Sequence, residues 1–168
     1  MTIIGLGGLH SDSACAVLKD GVLRAAIEES KLEHAARGGI PELAIAECLR
    51  LANAKREDVN VVAVVRPVSS GLQAPLRALF PNAEIAVVEH HLAHAASAFF
   101  ASPFESATVL TLDRVGDFHC GARWKAHGNH LQLEKEWQTP DSPAALYSAV
   151  TQLLGFRAGA DEHKVQWL

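Results

Sequence analysis

Two runs of β-branched residues, VNVVAVVRP (59–67) and AEIAVV (83–88), flank a helix-length segment, SGLQAPLRALF. Continuous apolar runs of this length read as strands buried on both faces. Two strands joined through a helix run parallel, because a tight hairpin cannot connect them. The helix is expected to begin irregularly near Pro75, whose ring disfavours a helix interior. A parallel pair needs further strands beside it, and the segments upstream supply them. TIIGLGG is a strand, and ACAVLKDGVLRAAIEE is a hairpin about Asp20-Gly21, a dipeptide suited to a turn with two positive φ angles. Gly38-Gly39 and Pro41 then punctuate the chain before a helix, Pro41 at a start where its missing N–H costs nothing. Leu43, Ile45, Ala46, Leu49 and Leu51 give that helix, up to about Ala54, one broad apolar side.

The order is three strands, helix, strand, helix, strand and a third helix ending near Ser102-Pro103. An antiparallel ribbon followed by parallel units predicts an α/β ribonuclease-H-like lobe, a five-stranded mixed sheet with helices on both faces. The layout then starts again. ATVLTLD, HCGARWKA and HLQLEKEW are strands separated by RVGDF and HGN turns. A helix follows from Pro143 to Leu154, with Asp141 or Ser142 as N-cap and Gly155 as C-cap. Duplicated lobes facing a cleft are the plan of the actin, sugar-kinase and Hsp70 group. Residues 1–104 are therefore expected to form the first lobe, and 105–168 the first ribbon and helix of a second, incomplete one. The exposed edge and apolar face of such a ribbon, with Trp124, Leu131, Leu133 and Trp137, predict self-association.

Composition narrows the function classes. With 168 residues, 49% hydrophobic and 20% charged, the chain can bury a core. A net charge of −4 gives no general pull toward nucleic acid. No apolar run is long enough to span a membrane, and the N-terminus enters a strand with no leader pattern. Cys15, Cys48 and Cys120 are scattered core candidates, which suits a reducing, cytoplasmic setting.

Three segments carry candidate chemistry. In GLHSDSA, the turn after the first strand, Gly5, Gly7 and Gly8 allow close backbone approach. There Ser11, Asp12 and Ser13 either bind an anion or simply organise the turn, and His10 can transfer a proton. In VVEHHLAHAASAFF, His90 and His94 stand one helical turn apart on one side, so two imidazoles can share one metal. The alternative is a polar helix start with exposed rings. His91 points elsewhere, to a ligand or to solvent. Asp113 ends the strand VLTLD with Gly116 just beyond; it is either the carboxylate that completes the site or a turn starter. Two imidazoles and a carboxylate suit divalent iron, manganese or zinc.

Taken together, GLHSDSACAVLKDGVLRAAIEES, HHLAHAASAFFASPFESATVLTLD and LYSAVTQLLGF…DEHKVQWL resemble the N-terminal part of the O-carbamoyltransferases. These include enzymes of nodulation-factor and aminoglycoside biosynthesis, and they belong to the actin-like ATPase superfamily. The resemblance implies an enzyme that uses carbamoyl phosphate and ATP to form carbamoyl-adenylate. The carbamoyl group then passes to a hydroxyl or amine of a small-molecule acceptor. It implies a metal, iron by preference, on His90, His94 and Asp113. It also implies acyl-transfer chemistry at His10 and makes Lys164 a weaker candidate for substrate contact in the cleft. The turn residues Gly8, Ser11, Asp12 and Ser13, with Gly116, are the candidates for nucleotide contact, and His91 is a candidate for substrate contact. Three departures stand out. Ala35 and Ala36 replace a lysine and a histidine, Arg114 replaces a glycine in LDGxG, and the chain stops at Leu168. A fragment unable to complete the reaction alone is therefore expected. The competing reading is a non-catalytic lobe that binds nucleotide or a partner. A sugar kinase is disfavoured, because kinases of this group hold magnesium through carboxylates and phosphates rather than imidazoles.

Overall fold

The structure is a computed structural model that describes residues 1–34, 38–66 and 70–168. The Ala35 and Ala36 departures lie outside the described residues. The chain divides into two compact units, Met1–Glu89 and His90–Leu168.

The first unit is built on β1 (Thr2–Gly7), β2 (Ala14–Lys19), β3 (Val22–Glu28), α1 (Glu42–Leu51), β4 (Val59–Val65), α2 (Ser70–Leu79) and β5 (Glu84–Val88). The sheet order is β3-β2-β1-β4-β5, with β1, β2 and β3 antiparallel and β1, β4 and β5 parallel. This is the mixed sheet of the ribonuclease-H-like plan. The hairpin turns at Asp20 and Gly21, with φ of 53° and 76°, as the dipeptide predicts.

Register explains the core. Ile4 lies opposite Val17 and Val62, and Leu6 opposite Cys15 and Val64. These residues share one face with Ile45, Cys48 and Leu49 of α1 and with Leu76 and Phe80 of α2. The other face carries Ile3, Val61 and Ala63, all partly exposed. The expectation that β4 and β5 are buried on both faces is therefore corrected: β4 is buried on one face, and Val87 of β5 is exposed. Valine and alanine on both sides of a strand hide its alternation. Helix α2 also begins earlier than expected, at Ser70. Pro75 falls on its second turn, where its ring removes one bond to the first turn without ending the helix.

Helix α1 has no capping side chain at Pro41. Glu29, buried after β3, takes that role from a distance. Its two carboxylate oxygens accept the N–H groups of Leu43 at 3.0 Å and Ala44 at 2.6 Å.

The second unit contains α3 (His90–Phe100), β6 (Ser106–Gly116), β7 (His119–His127), β8 (His130–Gln138), α4 (Pro143–Leu153) and the short α5 (Glu162–Val165). The three strands form one antiparallel sheet, β6-β7-β8. Ala95 and Phe99 of α3 pack on Val109, Ala122, Trp124 and Ala126. The sequence divides the chain after residue 104, whereas the compact units divide before His90, because α3 buries its apolar side on the second sheet. Ser142 caps α4 through its hydroxyl, which accepts the Ala145 N–H at 3.1 Å. Tyr147 ties α5 to α4 by donating to the Glu162 carbonyl at 2.8 Å.

Candidate metal centre

The second unit brings His90, His94 and Asp113 to one point. His90 opens α3 and His94 follows one turn later, so both rings project on the same side. Asp113 leaves regular strand geometry. Leu112 pairs with Gly121, and the next ladder pair is Gly116 with His119, so residues 113–115 face Cys120 alone. A bulge of this kind frees a strand residue from strict alternation and re-aims its side chain.

His90 Nε2 lies 2.8 Å from Asp113 Oδ2 and 3.2 Å from His94 Nε2, and His94 Nε2 lies 4.0 Å from Asp113 Oδ2. All three corners of that triangle are about 2.0 Å from one common point, an ordinary metal–nitrogen or metal–oxygen bond length. Protons serve the cluster less well. If His90 Nε2 donates to Asp113, it has no lone pair left to accept from His94. A divalent cation would engage all three atoms at once, so the donor set fits such an ion. Among the described residues, no other group of three histidine, cysteine or carboxylate ligands converges in this way. His94 is exposed and Asp113 partly so, which leaves one side of the centre open, as catalytic metal sites require.

Surrounding groups fix the ligands. Asp113 Oδ1 accepts the Arg114 N–H at 2.6 Å, so Oδ2 is the oxygen turned to the histidines. The Asp113 carbonyl accepts from the Ser142 hydroxyl at 3.0 Å. Asp117 Oδ2 accepts the His90 N–H at 3.3 Å and so caps α3. Gly116 lies against the His90 imidazole; a Cβ there would stand 2.7 Å from Nε2 and 2.8 Å from Cγ. Contacts of this outer kind orient ligands and tune affinity. Gly116 thus shapes the centre by leaving room for a ring. Asp117 and Ser142 have no site signature in the sequence; only Ser142 is legible, as a helix cap.

His91 is corrected. Its side chain is 1% exposed, so it does not face a substrate. Nε2 stands 3.3 Å from the His119 carbonyl and Nδ1 3.0 Å from the Thr111 hydroxyl. A carbonyl only accepts, so Nε2–H donates to it, and the residue pins α3 to β6 and β7. Lys164 lies on α5, where its ammonium pairs with Asp161 at 2.9 Å.

The GLHSDSA turn belongs to the first unit. Ser11 N–H bonds the Gly8 carbonyl at 3.0 Å, closing a turn. Gly8 has φ of +65°, and a Cβ there would run into the Asp12 carbonyl. His10, Ser11 and Asp12 are exposed, while Ser13 is buried with no hydrogen-bond partner for its hydroxyl among the described residues. Gly38 presses on this turn: a Cβ there would stand 2.7 Å from the Leu9 carbonyl oxygen, and Gly39 N–H donates to that oxygen at 2.7 Å. The Gly38-Gly39 pair therefore braces the His10 turn as well as preceding a helix.

The chain is similar to known proteins in sequence and in fold. The profile of the Carbamoyltransferase N-terminus family matches residues 68–168. Nodulation protein NolNO of Sinorhizobium fredii is 29% identical over 185 residues, covering 94% of this chain and 27% of that protein. The Synechocystis protein sll1178 is 29% identical over 208 residues, covering 99% of this chain and 34% of its own. The chain thus spans about a third or less of the length of these relatives. Among solved structures, YeaZ from Pseudomonas aeruginosa superimposes with a TM-score of 0.52 at 15% identity, over 80% of this chain and 64% of that one. Component A of the Acidaminococcus fermentans (R)-2-hydroxyglutaryl-CoA dehydratase gives 0.50 at 19% identity, over 94% and 56%. The fold is thus of the actin-like ATPase type, and by its family profile the chain belongs to the carbamoyltransferase N-terminus family.

Proposed function

We propose that this chain is the N-terminal part of an enzyme that uses carbamoyl phosphate and ATP to carbamoylate a hydroxyl or amine of a small molecule, by way of carbamoyl-adenylate. The convergence of His90, His94 and Asp113 in a chain of this family carries the reading. These residues would hold a divalent ion, iron by preference, with zinc or manganese as alternatives. Such an ion neutralises phosphate charge and makes a nucleotide a better leaving group. His90 and His94 offer neutral nitrogens and Asp113 one oxygen, with an open side for phosphate. In the transfer step the acceptor oxygen or nitrogen attacks the carbamoyl carbon, the bond to the adenylate phosphate breaks, and AMP leaves. His10, exposed on a braced turn, suits removal of the acceptor proton. Gly8, Ser11 and Asp12 are proposed to meet the substrates there, whereas Ser13 is buried beneath the turn, and Lys164 is proposed to meet substrate only after leaving Asp161. Three free thiols fit a cytoplasmic setting.

Arg114 favours a second reading, a non-catalytic nucleotide-binding lobe. It puts an exposed guanidinium beside Asp113, where the family carries glycine. Metal titration tests the centre directly. The double variant His90→Ala/His94→Ala should lose iron and zinc uptake while its melting temperature changes little, since His94 is exposed. Uptake equal to that of the parent chain would move the site elsewhere, first to His10 and Asp12. Carbamoyl-adenylate formation by the intact protein separates the two readings.

A further inference from the structure

Two hairpins in this chain turn through nearly the same backbone. Asp20-Gly21 has φ of 53° and 76°, and Asp117-Phe118 has φ of 51° and 73°. Each dipeptide fills the two central positions of a two-residue turn, between Lys19 and Val22 and between Gly116 and His119. The second position needs positive φ, which glycine adopts freely and a bulky side chain resists. One hairpin carries the glycine and the other a phenylalanine. Turn geometry therefore does not explain Phe118. Packing among the described residues does not explain it either, since Phe118 is 84% exposed.

The unfavourable conformer is firmly held. The Phe118 carbonyl accepts from the Thr139 hydroxyl at 2.6 Å and from the Thr139 N–H at 3.3 Å. Asp117 bonds the first N–H of α3, and Gly116 lies against the His90 ring. The turn that displays Phe118 is thus anchored to the metal centre itself. Strain kept at such a place, with no structural return, points to a ligand.

We propose that Phe118 is a stacking platform for the base of a nucleotide whose phosphates are held at His90, His94 and Asp113. This rests on the nucleotide reading above and adds a specificity residue to it. Phenylalanine has no hydrogen-bonding group, so it recognises the flat face of a ring and not its edge. A nucleobase offers such a face. Arg114, exposed on the same strand segment, adds a cation suited to phosphate.

The test compares ATP with inorganic tripolyphosphate, which has the charge and no base. Binding of each to the Mn2+-loaded intact protein is measured by calorimetry for the parent, Phe118→Ala, Phe118→Gly and Phe118→Trp. Phe118→Ala and Phe118→Gly should weaken ATP about tenfold or more, the range typical of base–aromatic stacking, and leave tripolyphosphate unchanged. Phe118→Trp should restore ATP. Phe118→Gly should also melt no lower than the parent, because glycine relieves the turn; a ring needed for folding would lower it. Unchanged ATP affinity, or equal loss of both ligands, overturns the proposal, as does a change confined to self-association. A parent protein that, intact, binds neither ligand overturns the nucleotide reading itself, a pattern distinct from the others.

Discussion

At the scale of single residues, the centre is decided by which side chains a neighbouring backbone leaves room for. His90 and His94 are legible as a pair because helical spacing alone puts them on one side. Asp113 is legible as the end of a strand. Gly116 is readable only as a turn glycine, because its contact with His90 joins positions 26 residues apart in the chain. His91 is illegible for a related reason. Adjacent helical residues point about 100° apart, and sequence does not say on which side the sheet lies. Substituting Gly116 by alanine tests the steric argument. The added methyl group displaces the imidazole, so metal affinity should fall about tenfold or more, the size of effect seen when outer contacts of a metal ligand are lost. Retained affinity in that variant, measured by competition with a chromogenic chelator, would mean the ring has another place to go. A second residue-level expectation concerns Cys15. Burial, and next the neighbouring Cys48, push its thiol far above the ordinary value of 9.0. The folded thiol therefore stays protonated where the unfolded one ionises. Its stability contribution is complete below pH 9 and is lost as pH rises above that value. Unfolding free energy measured in urea from pH 8 upward should decline, and Cys15→Ala should decline less steeply.

At the scale of elements, hairpins and helix caps carried the most information. Asp20-Gly21 and Ser142 behave as their residue types dictate. Helix α1 does not, because Pro41 brings no acceptor and the acidic cap comes from Glu29, twelve residues earlier. No local pattern announces a cap reached through tertiary structure. Removing it leaves the buried Ala44 N–H and the part-buried Leu43 N–H without their acceptors. Glu29→Ala should cost about 2 kcal/mol, between an ordinary cap and a buried charged hydrogen bond. Glu29→Gln, which keeps one acceptor oxygen, should cost about half as much. Urea titrations that give both variants parental stability would show that water replaces the carboxylate at no cost. The bulge at Asp113 shows the same limit of local reading. Its existence depends on three residues of β6 facing Cys120, a register that only the paired strand sets.

At the scale of the whole molecule, the five-stranded sheet was readable because an antiparallel ribbon and two helical crossovers leave few topologies. The allegiance of α3 was not, since strand–helix alternation does not say which sheet a helix covers. That difference changes the expected surface for self-association. Trp124, expected to be open, is 6% exposed beneath α3. The outer strand β8 carries Glu134, Lys135 and Glu136, and charges on an edge oppose strand-to-strand pairing. The apolar groups left open are Leu110 and Leu112 on β6, 57% and 58% exposed, on the side opposite Val109 and Thr111. Leu112 pairs with Gly121 and Gly121 with Trp137, so Trp137 shares that side of the sheet, whereas Leu133, paired with Trp124, lies on the other. Self-association is therefore proposed through the Leu110–Leu112 face of a second copy. Light scattering at about 50 μM, a concentration range in which exposed apolar surface drives association, should show species larger than one chain. Leu110→Lys/Leu112→Lys should return the chain to a monomer without loss of helix or strand signal. If the parent is itself monomeric there, two leucines on one bare face are too little to hold a partner, and the proposed interface fails.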